Sequence, residues 1–319
     1  MDKVKVGVVG VGALGQHHAR VYASLPEATL VGLVDTLPGR AQELAQSLGI
    51  QAFNDRRELF GKVDAVSIAT PTTLHASIGE EFLNEGVHVL VEKPISHSLQ
   101  EAGRLIQAAE RNHCVLQVGH LERFNPAVRS ARDVVRQPRF IEAHRMGLFS
   151  SRSLDIDVIL DLMIHDLDII SLLVPSRPAN IHAVGIPILT ERIDIANARI
   201  QFEDGCVANV TASRVSMEKI RKLRFFHARE YVSLDYTKQE VAIFSLQPSV
   251  DGEVPQIVGR RLTPERLNPL EEELRAFLLA SRGVRPVECT GAEGKRALDL
   301  ALKILGQAEK ARVLAFDSR

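Results

Sequence analysis

Between Val4 and Val118, short apolar runs alternate with stretches whose apolar residues fall at helical spacing. The runs predict six strands, near Val4–Val9, Ala28–Asp35, Gln51–Phe53, Ala65–Ala69, His88–Val91 and Val115–Val118. The segments between them carry helix punctuation. Pro38 sits at an early helical position, Thr72 or Thr73 precedes a helix that Gly86 follows, and Ser98-Leu99-Gln100-Glu101 reads as a capping box. Strands that alternate with helices in this way predict a doubly wound parallel sheet, with the first domain covering residues 1–122.

Beyond residue 122 the pattern changes. A helix is expected over Pro126–Val135, a strand over Phe140–Met146, a polar loop at Ser150–Ser153 and a long helix from Asp157 to Leu173. Strands then follow one another without helices between them. Ile195–Phe202 alternates in and out, turns at Asp204-Gly205 and returns as Cys206–Ser213, and further strands fit Arg221–His227, Glu230–Asp235 and Glu240–Ser245. Leu246–Arg261, with two prolines and two glycines, is expected to be a loop. Two helices close the chain, one over Pro269–Arg282 and one from about Ala292, capped by Thr290 and Glu293. Residues 123–319 therefore predict an α/β domain built on a large, mostly antiparallel open sheet, whose open face invites self-association.

Composition narrows the partners. The 319 residues carry 39 Lys plus Arg against 40 Asp plus Glu with no long basic cluster, so nucleic acid is not an expected partner. Apolar residues make up 45%, and no run approaches the ~18 uninterrupted apolar positions of a membrane span, so no membrane is expected either. Met1-Asp2-Lys3 runs directly into the first strand, and no signal segment is expected. Cys114, Cys206 and Cys289 are far apart and form no CxxC pair, which suits reduced thiols in a cytoplasmic protein.

The first strand ends in Gly10-Val11-Gly12-Ala13-Leu14-Gly15, a GxGxxG turn into a helix. Gly10 suits a tight turn, Gly12 a close backbone approach to a pyrophosphate, and Gly15 close helix-on-sheet packing. Gly10, Gly12, Ala13, Leu14 and Gly15 would bring peptide N–H groups to the phosphates. Asp35, ending the second strand, is placed to hold a ribose 2′-hydroxyl and would repel a 2′-phosphate, which favours NAD over NADP.

Ligands of such sheets bind beyond the carboxyl ends of the strands, and two of those ends carry chemistry. Ala69-Thr70-Pro71-Thr72-Thr73-Leu74-His75 follows the fourth strand and Glu92-Lys93-Pro94 the fifth. Thr70, Pro71, His75, Glu92 and Lys93 are thus expected along the cofactor, and the Lys93 ammonium could stabilise charge on a substrate oxygen as hydride leaves. Farther along, Asp157, Asp161, His165 and Asp168 share one face of a helix that is otherwise apolar. That stripe reads two ways. His165 could accept a proton from an alcohol with Asp161 orienting it, or the acids could form an outward stripe around a structural histidine. No metal is expected, because hydride transfer through NAD needs none and no second histidine shares the stripe.

Four ordered motifs, Gly10-x-Gly12-x-x-Gly15, Ala69-Thr70-Pro71-x-x-x-His75, Glu92-Lys93-Pro94 and Asp161-x-x-x-His165, resemble those of the glucose-fructose oxidoreductase, inositol dehydrogenase and rhizopine-catabolism (Gfo/Idh/MocA) family over the whole chain. The resemblance implies a catalytic group of Lys93, Asp161 and His165, an NAD cofactor, and a homodimer or homotetramer formed through the second-domain sheet. The chain departs from many relatives at Asp155-Ile156-Asp157-Val158, where they carry a glycine pair. The stretches Gly119–Pro126 and His144–Gly147 are similar to the nucleotide-sugar branch, the UDP-N-acetylglucosamine 3-dehydrogenases that supply 3-amino sugars for lipid A. On that likeness His120 faces substrate, and Arg123, Arg145 and Arg152 become diphosphate partners. The expected function is oxidation of a ring hydroxyl on a sugar or nucleotide sugar. For a nucleotide sugar the expected product is the 3-keto derivative of UDP-N-acetylglucosamine, and two alternatives stand beside it: a dehydrogenase of a free polyol such as an inositol or a reductase of another carbonyl compound, and a non-catalytic NAD-binding regulator.

Overall fold

The structure is a computed structural model that describes residues 2–150, 156–247 and 255–316, with the side chains of all of these except Pro38 and residues 312–316. It divides into two compact units. The first comprises residues 1–124 and 268–295, the second residues 125–267 and 296–319.

In the first unit, six parallel strands lie in the order β3-β2-β1-β4-β5-β6. They are β1 (Val4–Val9), β2 (Ala28–Val34), β3 (Gln51–Phe53), β4 (Ala65–Ile68), β5 (His88–Glu92) and β6 (Leu116–Gly119). Helices α1 (Gly15–Ser24), α2 (Pro38–Leu48), α3 (His75–Asn84) and α4 (Leu99–Arg111) connect them, and the expected Ser98 cap accepts a hydrogen bond from the Glu101 N–H. Every position of β4 (Ala65, Val66, Ser67, Ile68) and every position of β1 except Lys5 is buried, because a parallel sheet between helices is covered on both faces. The order reverses between β1 and β4, so the loops after those strands open at the switch point where doubly wound sheets take their ligands.

A single cut after residue 122 does not describe this unit. Helix α7 (Pro269–Ser281) returns to it, burying Leu274, Phe277 and Leu278 in the same core as Val6, Val8 and Tyr22. The segment after α7 is tied to β6 by a Val118 N–H to Cys289 carbonyl bond and a bridge between Gln117 and Thr290. The apolar face of α7 could not reveal which core it joins, since helical periodicity reports burial and not address.

The second unit holds an eight-stranded sheet, β14-β13-β12-β11-β7-β10-β9-β8, antiparallel except for the β10–β7 pair. Its strands are β7 (Phe140–Met146), β8 (Pro178–Ile186), β9 (Ile195–Phe202), β10 (Val207–Ser213), β11 (Ile220–Phe226), β12 (Glu230–Asp235), β13 (Glu240–Leu246) and β14 (Ile257–Leu262). In β9 every second residue is buried, and those residues pack with α5 (Pro126–Val134), α6 (Ile164–Leu173) and residues 297–308 of α8 (Gly291–Phe316). Two edge strands depart from the sequence reading. The expected loop over Leu246–Arg261 contains β14, paired antiparallel with β13, and β8 borders β9 where no strand was expected. Both are largely exposed, so neither shows the one-sided apolar alternation that marks a strand. The expected helix from Asp157 to Leu173 is two pieces, a π turn over Ile159–Met163 and then α6.

Candidate functional site

The loop after β1 is shaped by its glycines. Gly10 has φ +84°, and a Cβ there would lie 2.7 Å from the Ala69 carbonyl oxygen; a Cβ on Gly15 would land on the Gly10 carbonyl. Gly12 is different, because a Cβ there would meet only the Arg40 Nη1 at 3.6 Å, so its own face is open. Ala13 and Leu14 are exposed beside it. The Asp35 carboxylate organises this turn, accepting the Val11 N–H at 2.9 Å on one oxygen and the Leu37 N–H at 2.9 Å on the other. Across the switch point, the Thr70 hydroxyl is buried and has no hydrogen-bond partner among the described residues, and Pro71 beside it is exposed. An open glycine backbone at a helix start, an acid at the end of β2 and a buried hydroxyl in need of a partner together fit a dinucleotide. Gly12, Asp35 and Thr70 are the groups that would hold it.

The structure gives both His75 and Glu92 close partners. His75 is buried, its Nδ1 2.8 Å from the Pro94 carbonyl oxygen and its Nε2 2.9 Å from that of Thr70. Burial pushes its pKa down against the pull of those two carbonyls. Glu92 is buried too, with Oε1 3.0 Å from His18 Nε2 and Oε2 accepting the Lys93 N–H at 3.1 Å. Burial pushes the Glu92 carboxyl up, but the His18 contact and the Lys93 charge together bring it below the usual carboxylate range. Lys93 itself is half-buried at the tip of β5.

In the second unit the expected acid stripe separates. Asp157 is buried and accepts the Ile193 N–H at 2.8 Å, which makes it an anchor for the start of the π turn. Asp161, within the π turn, and His165, in the first turn of α6, are half-buried, while Asp168 is fully buried. A π turn shifts the side chains that follow it around the helix axis, and such turns are common at functional sites.

Two of the expected diphosphate partners are engaged by carboxylates. Arg145 is buried and places its fork on Asp166, with bonds of 2.8 and 3.0 Å, and its guanidinium lies 4.8 Å from the centre of the Tyr236 ring. Arg123 is buried against Glu293 and the Glu288 carbonyl, both at 2.8 Å. The Asp166 carboxylate that Arg145 meets is buried, whereas the Glu293 side chain is about 24% exposed. His120, at the end of β6, is buried, and Arg152 lies outside the described residues.

Sequence reasoning missed His18, although it recurs with Ala19 and Tyr22 on the inward face of α1. It also missed Glu273, fully buried on α7 with neither carboxylate oxygen bonded among the described residues; burial and nearby Glu92 push its pKa well up.

A parallel sheet in this order, with this glycine turn and acid, defines a dinucleotide-binding oxidoreductase of the Rossmann type. Residues 4–120 match the family model described as an oxidoreductase family with an NAD-binding Rossmann fold, and residues 127–227 match the GFO/IDH/MocA C-terminal domain. The chain belongs to the Gfo/Idh/MocA family. It is 39% identical to the UDP-N-acetylglucosamine 3-dehydrogenase of Acidithiobacillus ferrooxidans over 95% of this chain and 97% of that one. A solved structure of that dehydrogenase matches with a TM-score of 0.92 at 38% identity, covering 97% of this chain and 99% of the other. The scyllo-inositol 2-dehydrogenase (NAD(+)) of Bacillus subtilis is 30% identical over 67% of this chain and 68% of its own. A levoglucosan dehydrogenase in complex with NADH and levoglucosan shares the fold, with a TM-score of 0.84 at 19% identity over 97% of this chain and 98% of that one.

Proposed function

We propose that the chain is an NAD-dependent dehydrogenase that oxidises the C3 hydroxyl of UDP-N-acetylglucosamine to a ketone. The observation that carries this reading is the likeness to a dehydrogenase of that substrate over nearly the full length of both chains. In the proposed reaction His165 takes the proton of the sugar hydroxyl, Asp161 orients the His165 ring, and the Lys93 ammonium stabilises charge on the substrate oxygen. The O–H and C–H bonds break and a C=O bond forms. Gly12, Asp35 and Thr70 would hold the dinucleotide, which would supply the hydride acceptor.

Purified protein given NAD and UDP-N-acetylglucosamine is expected to generate NADH. Lys93→Met and His165→Ala are expected to lower turnover by about 10²–10⁴-fold while NADH binding, followed by its fluorescence, is retained. Wild-type turnover in both variants overturns the assignment. The inositol dehydrogenase relative favours a second reading, oxidation of a free polyol. Turnover with myo-inositol or scyllo-inositol and none with the nucleotide sugar would select it.

We also propose that copies associate through the outer face of the second sheet. Phe140, Phe226, Tyr231 and Phe244 form a continuous ladder there across β7, β11, β12 and β13, with ring centroids 5.5, 5.0 and 5.7 Å apart. Aromatic residues concentrate at interfaces, so Phe244→Asp is expected to shift a dimer or tetramer toward monomer in light scattering. No helix among the described residues is long and apolar enough to cross a membrane, and Cys114, Cys206 and Cys289, none of them in a disulfide, fit the cytoplasmic setting we propose.

A further inference from the structure

The proposed reaction uses the Lys93 ammonium but leaves unexplained how a lysine at a strand tip is held still. Two buried histidines flank it. On one side, His18 comes from the first turns of α1, the helix that begins at Gly15, and its Nε2–H donates to Glu92 Oε1 at 3.0 Å. The other oxygen of the same carboxylate accepts the Lys93 N–H at 3.1 Å. The Glu92 carboxyl lies against Gly119 of β6, where a Cβ would come within 3.1 Å of its carboxyl carbon, so the glycine leaves the space it occupies. On the other side, the His75 ring spans the carbonyl oxygens of Pro94 and Thr70, at 2.8 and 2.9 Å, and so joins the loop after β5 to the loop after β4. Both rings are about 1% exposed.

These contacts form one chain. It runs from α1 through His18 and Glu92 to the Lys93 peptide; beyond Pro94 the His75 ring, whose neutral form burial favours, donates its single N–H to one of the Pro94 and Thr70 carbonyls and packs against the other. Buried charge-assisted bonds are the stronger kind, and a solvated lysine loop would need neither. We propose that His18 and His75 are positioning residues for Lys93, bracing its loop from both sides against the helix and the loop that flank the sheet's switch point. The inference rests on the catalytic role of Lys93 proposed above. The histidines touch no reacting atom and act through the backbone on either side of the lysine.

A misplacement of about 1 Å in a catalytic group costs on the order of 10²-fold, so the brace is read in kcat. His18→Phe keeps a ring of similar size and removes its donor, whereas His18→Gln keeps a donor on a flexible arm. The phenylalanine variant is expected to lose about 10²-fold in kcat, with the NADH dissociation constant within about twofold of wild type and the glutamine variant recovering a large part of the loss. His75→Asn, too short to span both carbonyls, is expected to lose kcat in the same way. If both histidines brace one loop, combining His18→Phe with His75→Asn costs less than the product of the single losses. Should His18→Phe not fold, His18→Asn, which cannot reach Glu92, takes its place with the same expectation. The proposal fails if folded His18 variants keep wild-type kcat, or if kcat merely follows the melting temperature across the series with no rescue by glutamine. Lys93→Met in the same assay separates the two readings. A fully active Lys93→Met overturns the role of the lysine, whereas an inactive Lys93→Met beside fully active histidine variants overturns the brace alone.

Discussion

The first sheet buries both faces and runs parallel throughout, whereas the second buries one face and leaves the other lined by half-exposed Phe140, Phe226 and Tyr231. The difference decides where each can carry function. With both faces covered, only the strand ends of the first sheet are free to bind, and its chemistry collects in the loops after β1, β4 and β5. In the second, the inner face is taken up by helices, so the candidate catalytic groups sit on the π turn and on α6, and the outer face keeps its aromatic ladder half exposed.

The sharpest way to break the first half of this comparison is at the glycine turn. A Cβ on Gly15 would collide with the Gly10 carbonyl, while one on Gly12 meets only Arg40 Nη1 at 3.6 Å. Gly15→Ala is expected to lose NADH binding together with stability, by more than about 3 kcal/mol in denaturant unfolding. Gly12→Ala is expected to melt like wild type and bind NADH at least about tenfold more weakly, because its added methyl sits where a pyrophosphate approaches. A Gly12→Ala chain with unchanged NADH affinity would contradict the cradle.

In the second unit the corresponding test is the Arg145–Asp166 pair, about 3% and 1% exposed. Removing one partner leaves an uncompensated buried charge, so Asp166→Ala is expected to cost about 3–5 kcal/mol. The double variant Arg145→Met/Asp166→Leu should recover most of that cost, since apolar replacement of both partners is often neutral or better. Had Arg145 been a diphosphate ligand, Arg145→Met would raise the KM for the nucleotide sugar without moving the unfolding midpoint. Urea titration alongside kinetics distinguishes the two.

How much of this was legible in the chain follows from the range of the interactions. The strands of the first sheet and the glycine turn are written locally, because each βα unit carries its own apolar run, cap and breaker within a few residues. What escaped has distant partners or no buried face. His18 meets Glu92 across 74 positions, and Gln117 donates to the Glu273 carbonyl across 156, so neither contact leaves a local spacing. The edge strands β8 and β14 lack the one-sided alternation that betrays a strand. Arg145 and Arg123 carried the right chemistry for phosphate, but side-chain type does not reveal that Asp166 and Glu293 had already claimed them.

Glu273 sharpens the account of the first core. Its carboxyl has no bonded oxygen among the described residues and lies where burial and then Glu92 raise its pKa. A carboxyl whose native pKa exceeds its unfolded value binds more protons when folded, so its contribution is fully present below the unfolded pKa and is lost as pH rises toward the native one. Glu273→Gln is neutral at every pH and removes this dependence. The variant is therefore expected to match wild type near pH 4 and to be the more stable of the two near pH 8, by about 1–3 kcal/mol, the usual cost of a buried group left unpaired. Parallel stability curves across that window would mean that Glu273 is paired after all.

The smallest expected effect concerns cofactor choice and lies at the rim of the first sheet. The Arg40 Nη1 is 3.6 Å from Asp35 Oδ2, and its side chain is about half exposed. Asp35 disfavours a 2′-phosphate, but a guanidinium beside it offsets part of that repulsion and offers the fork that phosphates favour. Arg40 is therefore expected to soften the preference for NAD over NADP. Asp35 is buried but Arg40 is half exposed and solvent screens the contact, so it is worth roughly 0.2–1 kcal/mol. Accordingly, Arg40→Ala is expected to weaken NADPH binding by no more than about fivefold and to leave NADH within about twofold. Asp35→Ser should narrow the gap between the two cofactors, and adding Arg40→Ala should reopen it, because only with the guanidinium present does losing the acid create a phosphate site. If Arg40→Ala leaves the NADPH titration unchanged in both backgrounds, the guanidinium plays no part at the ribose, and Asp35 alone sets the preference of this rim.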